Sequence, residues 1–174
     1  MGEHHAERWS AVEEGVELLH EGDVEQAVRE LTRVTESDPD NEYAHYFLGS
    51  AYFDREEWDR ALKCYVRALE LAPRYLGAMV GAGHALRMMT RYAQALRMAK
   101  QALLISKDDP DVLYLLGVTH FQRGDNEDAK KYFEQFLETS PELEVAYEVR
   151  GMIQTLEGDV VPATNEGDGP VEDE

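Results

Sequence analysis

Cysteine is nearly absent from the sequence, because Cys64 is the only one among 174 residues. A single thiol can form no internal disulfide and no cysteine-rich zinc site. The sequence also lacks a run of 18 apolar residues, and no basic stretch at its N-terminus leads into an apolar segment. We therefore expect a cytoplasmic protein that does not insert into a membrane.

The sequence is also poor in positively charged residues. Lys and Arg together number 17 against 36 Asp and Glu, which gives a formal net charge of -19. Such a field repels phosphate, and nucleic acids or anionic membranes need a basic patch that is not apparent here. The charge balance excludes nucleic-acid binding and favours a partner protein that is apolar or basic.

The sequence also has no motif of a catalytic or metal site. It contains no glycine-rich phosphate loop and no nucleophile elbow, and its six histidines form no glutamate-flanked pair four residues apart. The tripeptide Arg123-Gly124-Asp125 matches an adhesion motif, but it aligns with Glu21-Gly22-Asp23 and is interpreted as a turn between helices. We expect neither an enzyme nor a cofactor nor a metal site.

The feature that stands out is an internal repeat of 34 residues. Alanines keep the same step as the glycines, which stand at Gly15, Gly49, Gly83, Gly117 and Gly151. Prolines keep it as well, except in the third unit, where Lys107 takes the place of the proline. Within a unit, apolar residues recur at three and four positions, which predicts two amphipathic helices. Asp23, with Gln26 three residues later, is typical of a helix N-cap, and Asp125 is predicted to cap in the same way.

The second unit carries a recognisable pattern. It has Leu48 and Gly49 in the first helix, Ala61 and Tyr65 in the second, and then Pro73. This spacing closely resembles the tetratricopeptide repeat, and the fourth unit is almost as similar. The resemblance implies an all-α fold without sheet: a right-handed superhelix of four helix pairs and a C-terminal capping helix, nine helices in all.

The unit boundaries follow from the repeat. The predicted units cover residues 8–41, 42–75, 76–109 and 110–143, followed by a lone helix over 144–156. Residues 1–7 are predicted to be a flexible N-terminus. Residues 157–174 carry acids and no base, and they are predicted to form an acidic disordered tail. This tail is interpreted as a solubilising segment, or as a pseudo-ligand that competes for a basic partner.

The resemblance also implies where a partner binds. In this family the first helix of each pair lines a concave groove, and positions three before, one after and four after the repeated glycine face it. With two neighbouring aromatic residues, this projection predicts a peptide-binding groove lined by Val12, Val16, Tyr43, Tyr46, Phe47, Ser50, Phe53, Val80, His84, Arg87, Tyr114, Val118 and Phe121. The alternative is that these side chains only pack between adjacent first helices.

One branch of the family grips the terminal carboxylate of chaperone tails with Lys, Asn and Arg side chains. Here Val12 and Val16 occupy the first of those positions, Ser50 the next, and Gly77 and Gly81 the later ones. We expect no recognition of acidic chaperone tails.

Three functions remain open from the sequence. The first is a non-enzymatic adaptor or assembly scaffold that binds a peptide or helix of a partner protein in the groove. The second is a secretion-type chaperone that shields apolar segments of an exported protein. The third is a self-assembling scaffold in which a terminal helix of one molecule fills the groove of the next.

Overall fold

The computed structural model describes residues 2–158, which contain ten helices and no strand. Residues 159–174, most of the predicted acidic tail, lie outside the described range. No helix within that range is both long enough and apolar enough to cross a bilayer. The helices are α1 (Gly2–Ser10), α2 (Glu13–His20), α3 (Val24–Ser37), α4 (Glu42–Asp54), α5 (Trp58–Leu71), α6 (Leu76–Met88), α7 (Tyr92–Ile105), α8 (Pro110–Arg123), α9 (Asn126–Glu138) and α10 (Leu143–Glu157).

The helices pack as successive pairs. Each first helix contacts its own second helix, in the pairs α2 with α3, α4 with α5, α6 with α7 and α8 with α9. Each second helix also contacts the first helix that follows it, while α4 touches α6 and α6 touches α8. The first helices therefore form a continuous layer, and the predicted all-α solenoid with a terminal helix is confirmed.

Helix starts follow the capping chemistry of the sequence in part. Asp23 caps α3 as predicted, since its Oδ1 accepts a hydrogen bond from the Gln26 amide at 3.1 Å. Asp125 precedes α9 in the same register, yet its carboxylate forms no cap. It lies 2.9 Å from Nδ1 of His120 and accepts a hydrogen bond from Arg123 instead. The carboxylate of Asp125 therefore pairs with the neighbouring Arg123 and does not form the helix cap that the sequence predicts.

Three of the repeated glycines, Gly15, Gly49 and Gly117, make room for large side chains of the second helices. A Cβ atom on Gly49 would lie 2.9 Å from the ring of Tyr65, and one on Gly117 would lie 2.5 Å from the ring of Phe133. Tyr65 and Phe133 are both buried, so the glycine and the ring belong to the core of one pair. Gly151 differs, because a Cβ atom there would meet nothing within 4 Å.

Helix α1 is the main departure from the sequence prediction. Residues 1–7 were expected to be flexible, whereas the structure has a helix over Gly2–Ser10 and hence ten helices instead of nine. Arg8 anchors it: Nη1 donates to Glu42 at 3.2 Å and Nε donates to Asp38 at 3.3 Å. Asn41 adds a hydrogen bond to the carbonyl oxygen of Arg8 at 3.0 Å. These partners lie some thirty residues away, so local periodicity gives no sign of them.

Candidate protein-binding groove

The layer of first helices carries most of the predicted groove residues in a partly exposed state. Two of the predictions are wrong. Val12 is fully buried in the core formed with α3 and α4, and Val118 is 5% exposed in the core formed with α9 and α10. Both side chains point between helices instead of into solvent, because the turn before α2 and the packing of α9 and α10 close over them.

The N-terminal part of the groove is an aromatic cluster. The ring of Tyr46 lies 4.9 Å from that of Phe47 and 4.8 Å from that of Tyr75, centroid to centroid. Tyr43 lies 6.0 Å from Tyr75. Tyr75 is not among the predicted groove residues; it precedes α6 at the N-cap position that Asn41 holds in α4. An aromatic residue at a position that favours small polar caps is the signal that could have revealed it.

Helix α1 covers part of this cluster. The ring of Trp9 lies edge-on to those of Tyr43 and Phe47, at 5.5 and 5.8 Å between centroids. His5 adds a contact of 3.1 Å between its Nδ1 and the hydroxyl of Tyr43. A cleft of about 460 Å³ remains open between Tyr43 and Tyr75. The chain itself therefore occupies a share of the groove at this end.

The middle of the groove is a row of rings that runs from helix to helix. Phe53 of α4 lies 6.5 Å from His84 of α6, and His84 lies 6.2 Å from Tyr114 of α8. Burial, together with the charge of Arg87, lowers the pKa of His84 to about 4, so its imidazole is neutral at neutral pH. The row therefore presents an uncharged aromatic surface.

Arg87 is the one cation among the predicted groove residues. Burial lowers its pKa, and its Nη1 donates a hydrogen bond to Oε1 of Gln122 at 3.0 Å. Its Nε is buried without a hydrogen-bond partner among the described residues. The guanidinium is thus held against α8 by a neutral amide.

The C-terminal part of the groove opens into a cleft between α8 and α10. Its volume is about 620 Å³, and Tyr114 and Phe136, 5.4 Å apart between centroids, form one wall. The hydroxyl of Tyr114 lies 3.5 Å from Oε1 of Glu148 on α10. Phe136 comes from the second helix α9 and was not predicted. Its signal is a large ring at a position where the two preceding units have Ala68 and Ala102.

The rim of the groove is acidic. Burial raises the pKa of Asp54, and burial together with Asp109 raises the pKa of Asp111. Within the described residues, no Lys or Arg side chain forms an ion pair with Asp54, Asp111 or Glu148. The electrostatic field at this rim is therefore negative.

The lone cysteine is no candidate nucleophile. Cys64 is partly buried beside the core formed by α3 and α4, and burial raises the pKa of its thiol to about 11. The thiol is therefore protonated at neutral pH, although nucleophilic attack requires the thiolate. The groove is therefore a surface of aromatic rings, apolar walls and carboxylates.

Two segments of the chain match family models, each described as a tetratricopeptide repeat. One model matches residues 42–75 and the other matches residues 86–148. Together these segments cover the second unit and most of the third and fourth units that the repeat defines.

Comparison with curated proteins and solved structures agrees with this match. A TPR repeat-containing protein of Methanocaldococcus jannaschii is 31% identical over 107 residues, 62% of this chain and 19% of the relative. Superkiller complex protein 3 of Mus musculus is 27% identical over 119 residues, 68% of this chain and 8% of that protein. The chain thus spans a small part of the curated relatives it matches. The crystal structure of a thermophilic TPR protein of Thermus thermophilus superposes with a TM-score of 0.73 at 21% identity, covering 87% of this chain and 82% of that one.

Proposed function

The chain belongs to the tetratricopeptide repeat family, and on that premise we propose that it is a non-enzymatic adaptor or assembly scaffold. In this proposal the groove of the first helices binds a peptide or helix of a partner protein. The supporting observation is the row of partly exposed rings that joins three first helices, from Phe53 through His84 to Tyr114.

A row of partly exposed rings is more favourable in contact with a partner protein than in contact with water. Large apolar side chains at a surface are covered in functional assemblies, and aromatic residues are the usual anchors of interfaces. The acidic rim adds a preference for a basic or apolar ligand. The relative Superkiller complex protein 3 is named as part of a complex, which is consistent with a role in protein assembly.

The test is a comparison of two apolar surfaces on the same molecule. Phe53→Ser and Tyr114→Ser change the groove, whereas Leu104→Ser changes an 83% exposed residue on the second helix α7. Proteins captured from the native cytosol are identified with the wild type, and their binding to each purified variant is then measured. We expect the two groove variants to lose at least about tenfold in affinity and the control to stay within about twofold.

Thermal unfolding of each variant separates binding from folding. Loss of binding in Leu104→Ser with unchanged binding in Phe53→Ser and Tyr114→Ser would contradict the proposal, since the partner would then dock on the second helices.

A second candidate, self-association through α10, has an observation of its own in its favour. Leu143 and Tyr147 lie one turn apart on this terminal helix and are 80% and 77% exposed. Gly151 continues the same face, with nothing within 4 Å of the position its Cβ would take. Sedimentation equilibrium tests this candidate: dimers that dissociate in Tyr147→Glu support it, and a monomeric wild type at high concentration contradicts it.

A further inference from the structure

We propose that the cleft between α8 and α10 is a subsite for one basic side chain, Lys or Arg, of the bound peptide. The inference rests on the proposed function, because it assigns the chemistry of one position of that ligand. The cleft has a volume of about 620 Å³, which is ample for a single long side chain.

One wall of the cleft is apolar. The rings of Tyr114 and Phe136 lie 5.4 Å apart, and Val145 of α10 faces the same space. Lys and Arg bury their aliphatic stems along apolar surface while the charged head stays polar. A cation is also attracted to the face of a tyrosine ring. This wall therefore fits the stem of a basic residue.

The other lining residues include three carboxylates. Asp111 lies in the first turn of α8, Glu142 stands just before α10 without forming a side-chain cap, and Glu148 lies within α10. No Lys or Arg side chain in residues 2–158 pairs with any of the three. The raised pKa of Asp111, caused by burial and by Asp109, is consistent with a carboxylate that lacks a compensating cation.

The opposite end of the groove shows how the chain compensates its own acids. There Glu42, with a side chain 8% exposed, accepts from Arg8 at 3.2 Å, and Asp38 accepts from the same guanidinium at 3.3 Å. No such internal cation serves the α8–α10 cleft within the described residues. The three cleft carboxylates are exposed and border an apolar wall, so they can pair with a cation that a ligand supplies.

The positive groups that lie nearest do not compete for the cleft carboxylates. His84 lines the cleft, but its pKa of about 4 leaves it neutral. Arg87 donates to the neutral amide of Gln122 and forms no ion pair with a cleft carboxylate within the described residues. The acidic C-terminal segment of this chain, residues 159–174, carries no Lys or Arg, so the same charges disfavour it as the occupant.

The experiment uses the full chain and a phage-displayed library of random decapeptides. Peptides selected on the wild type are synthesised, and their affinities are measured for the wild type and for the double variant Asp111→Asn with Glu148→Gln. The matched control is Glu36→Gln with Asp59→Asn, which changes the net charge equally on the second helices α3 and α5. Thermal unfolding confirms that each variant is folded.

We expect the selected peptides to be enriched in Lys or Arg at one position. Their affinity should fall about tenfold or more in the double variant and less than about twofold in the control. Replacing the basic residue of the peptide with Gln should cause the same loss with the wild type and little further loss with the double variant.

Two results would overturn the inference, and they differ in their meaning for the proposed function. Peptides without a basic preference, or peptides that bind the wild type and the double variant equally but lose affinity with Phe53→Ser, overturn the subsite and leave the groove intact. A library that yields no peptide sensitive to any groove variant contradicts both.

Discussion

The glycines of the repeat show that one residue type at one repeat position can have opposite effects on stability. A Cβ on Gly117 would lie 2.5 Å from the buried ring of Phe133, whereas a Cβ on Gly151 would meet nothing within 4 Å. Both residues lie inside helices, α8 and α10. Close packing therefore requires glycine at position 117, whereas no contact requires it at position 151.

This difference gives a prediction of opposite sign. Gly117→Ala should lower the free energy of unfolding by about 1–3 kcal/mol, because the added methyl overpacks a filled core. Gly151→Ala should raise it by about 0.5–1 kcal/mol, because alanine favours the helix and nothing obstructs its methyl. Urea unfolding of the two variants measures both values. Shifts of equal sign would show that the glycines do not have the assigned contacts.

The burial of His84 in the groove makes the stability of the fold depend on pH. Its folded pKa of about 4 lies below its ordinary value of 6.5, so the unfolded chain binds the proton more tightly. The contribution to stability is therefore complete above pH 7 and is lost as the pH falls from about 6.5 towards 4. Lowering the pH from 7 to 5 should reduce the free energy of unfolding by about 2 kcal/mol through this residue alone.

Chemical unfolding at pH 7 and pH 5 tests this linkage. The wild type should lose stability between the two values, and His84→Gln should lose about 2 kcal/mol less over the same interval. An identical loss in both proteins would mean that the imidazole is not held neutral by its neighbours.

The groove positions show which residues the sequence could place and which it could not. Phe53, His84 and Tyr114 lie four after, one after and three before the repeated glycines of their helices, so the repeat predicts them on one helix face. The structure brings these three rings together on the layer of first helices. Val12 has the repeat position of Tyr114, and Val118 has that of His84, but both are buried. Val12 lies in a turn at residues 11–12, and Val118 packs against side chains of α9 and α10. The 34-residue step predicts neither contact.

Among the elements, α1 is held by a polar anchor. The carboxylate of Glu42 is nearly buried, and Arg8 is the cation that hydrogen-bonds to it. Arg8→Ala should therefore lower the free energy of unfolding by about 1–3 kcal/mol, because it removes the guanidinium from a nearly buried carboxylate whose other neighbouring group is Nδ1 of His5 at 3.4 Å. Arg33→Ala is the matched control, since Arg33 pairs with Glu30 on an exposed face of α3 and should change stability little.

Thermal and urea unfolding distinguish the two arginines. If Arg8→Ala were as stable as Arg33→Ala, the ion pairs of Arg8 would contribute nothing to the stability of the folded array.

The same element marks a limit of prediction from sequence. Helices such as α3 and α5 could be predicted because their apolar residues recur at helical spacing and their cores are local to one unit. Helix α1 is polar and short, and its contacts with Asp38, Glu42 and Tyr43 are long-range. Only the folded array brings those partners together, so the pattern of residues 1–7 alone indicated a flexible segment.

For the molecule as a whole, the formal charge of -19 sets how a partner approaches. An acidic groove steers a basic peptide, and salt screens that attraction over about 10 Å at 0.1 M ionic strength. The association rate of a basic partner should therefore fall as salt rises, while its dissociation rate changes less. Stopped-flow mixing at several salt concentrations measures both rates. A rate of association independent of salt would indicate that an apolar ligand binds without electrostatic steering.

The central claim is that a partner binds on the layer of first helices, and photo-crosslinking tests it most directly. A benzoylphenylalanine is placed at Phe53 or Tyr114 in the groove, or at the exposed Leu104 on α7 as a control. After irradiation with the captured partner, positions 53 and 114 should form covalent adducts and position 104 should form none. Adducts from position 104 alone would contradict the account, because the partner would then lie on the second helices.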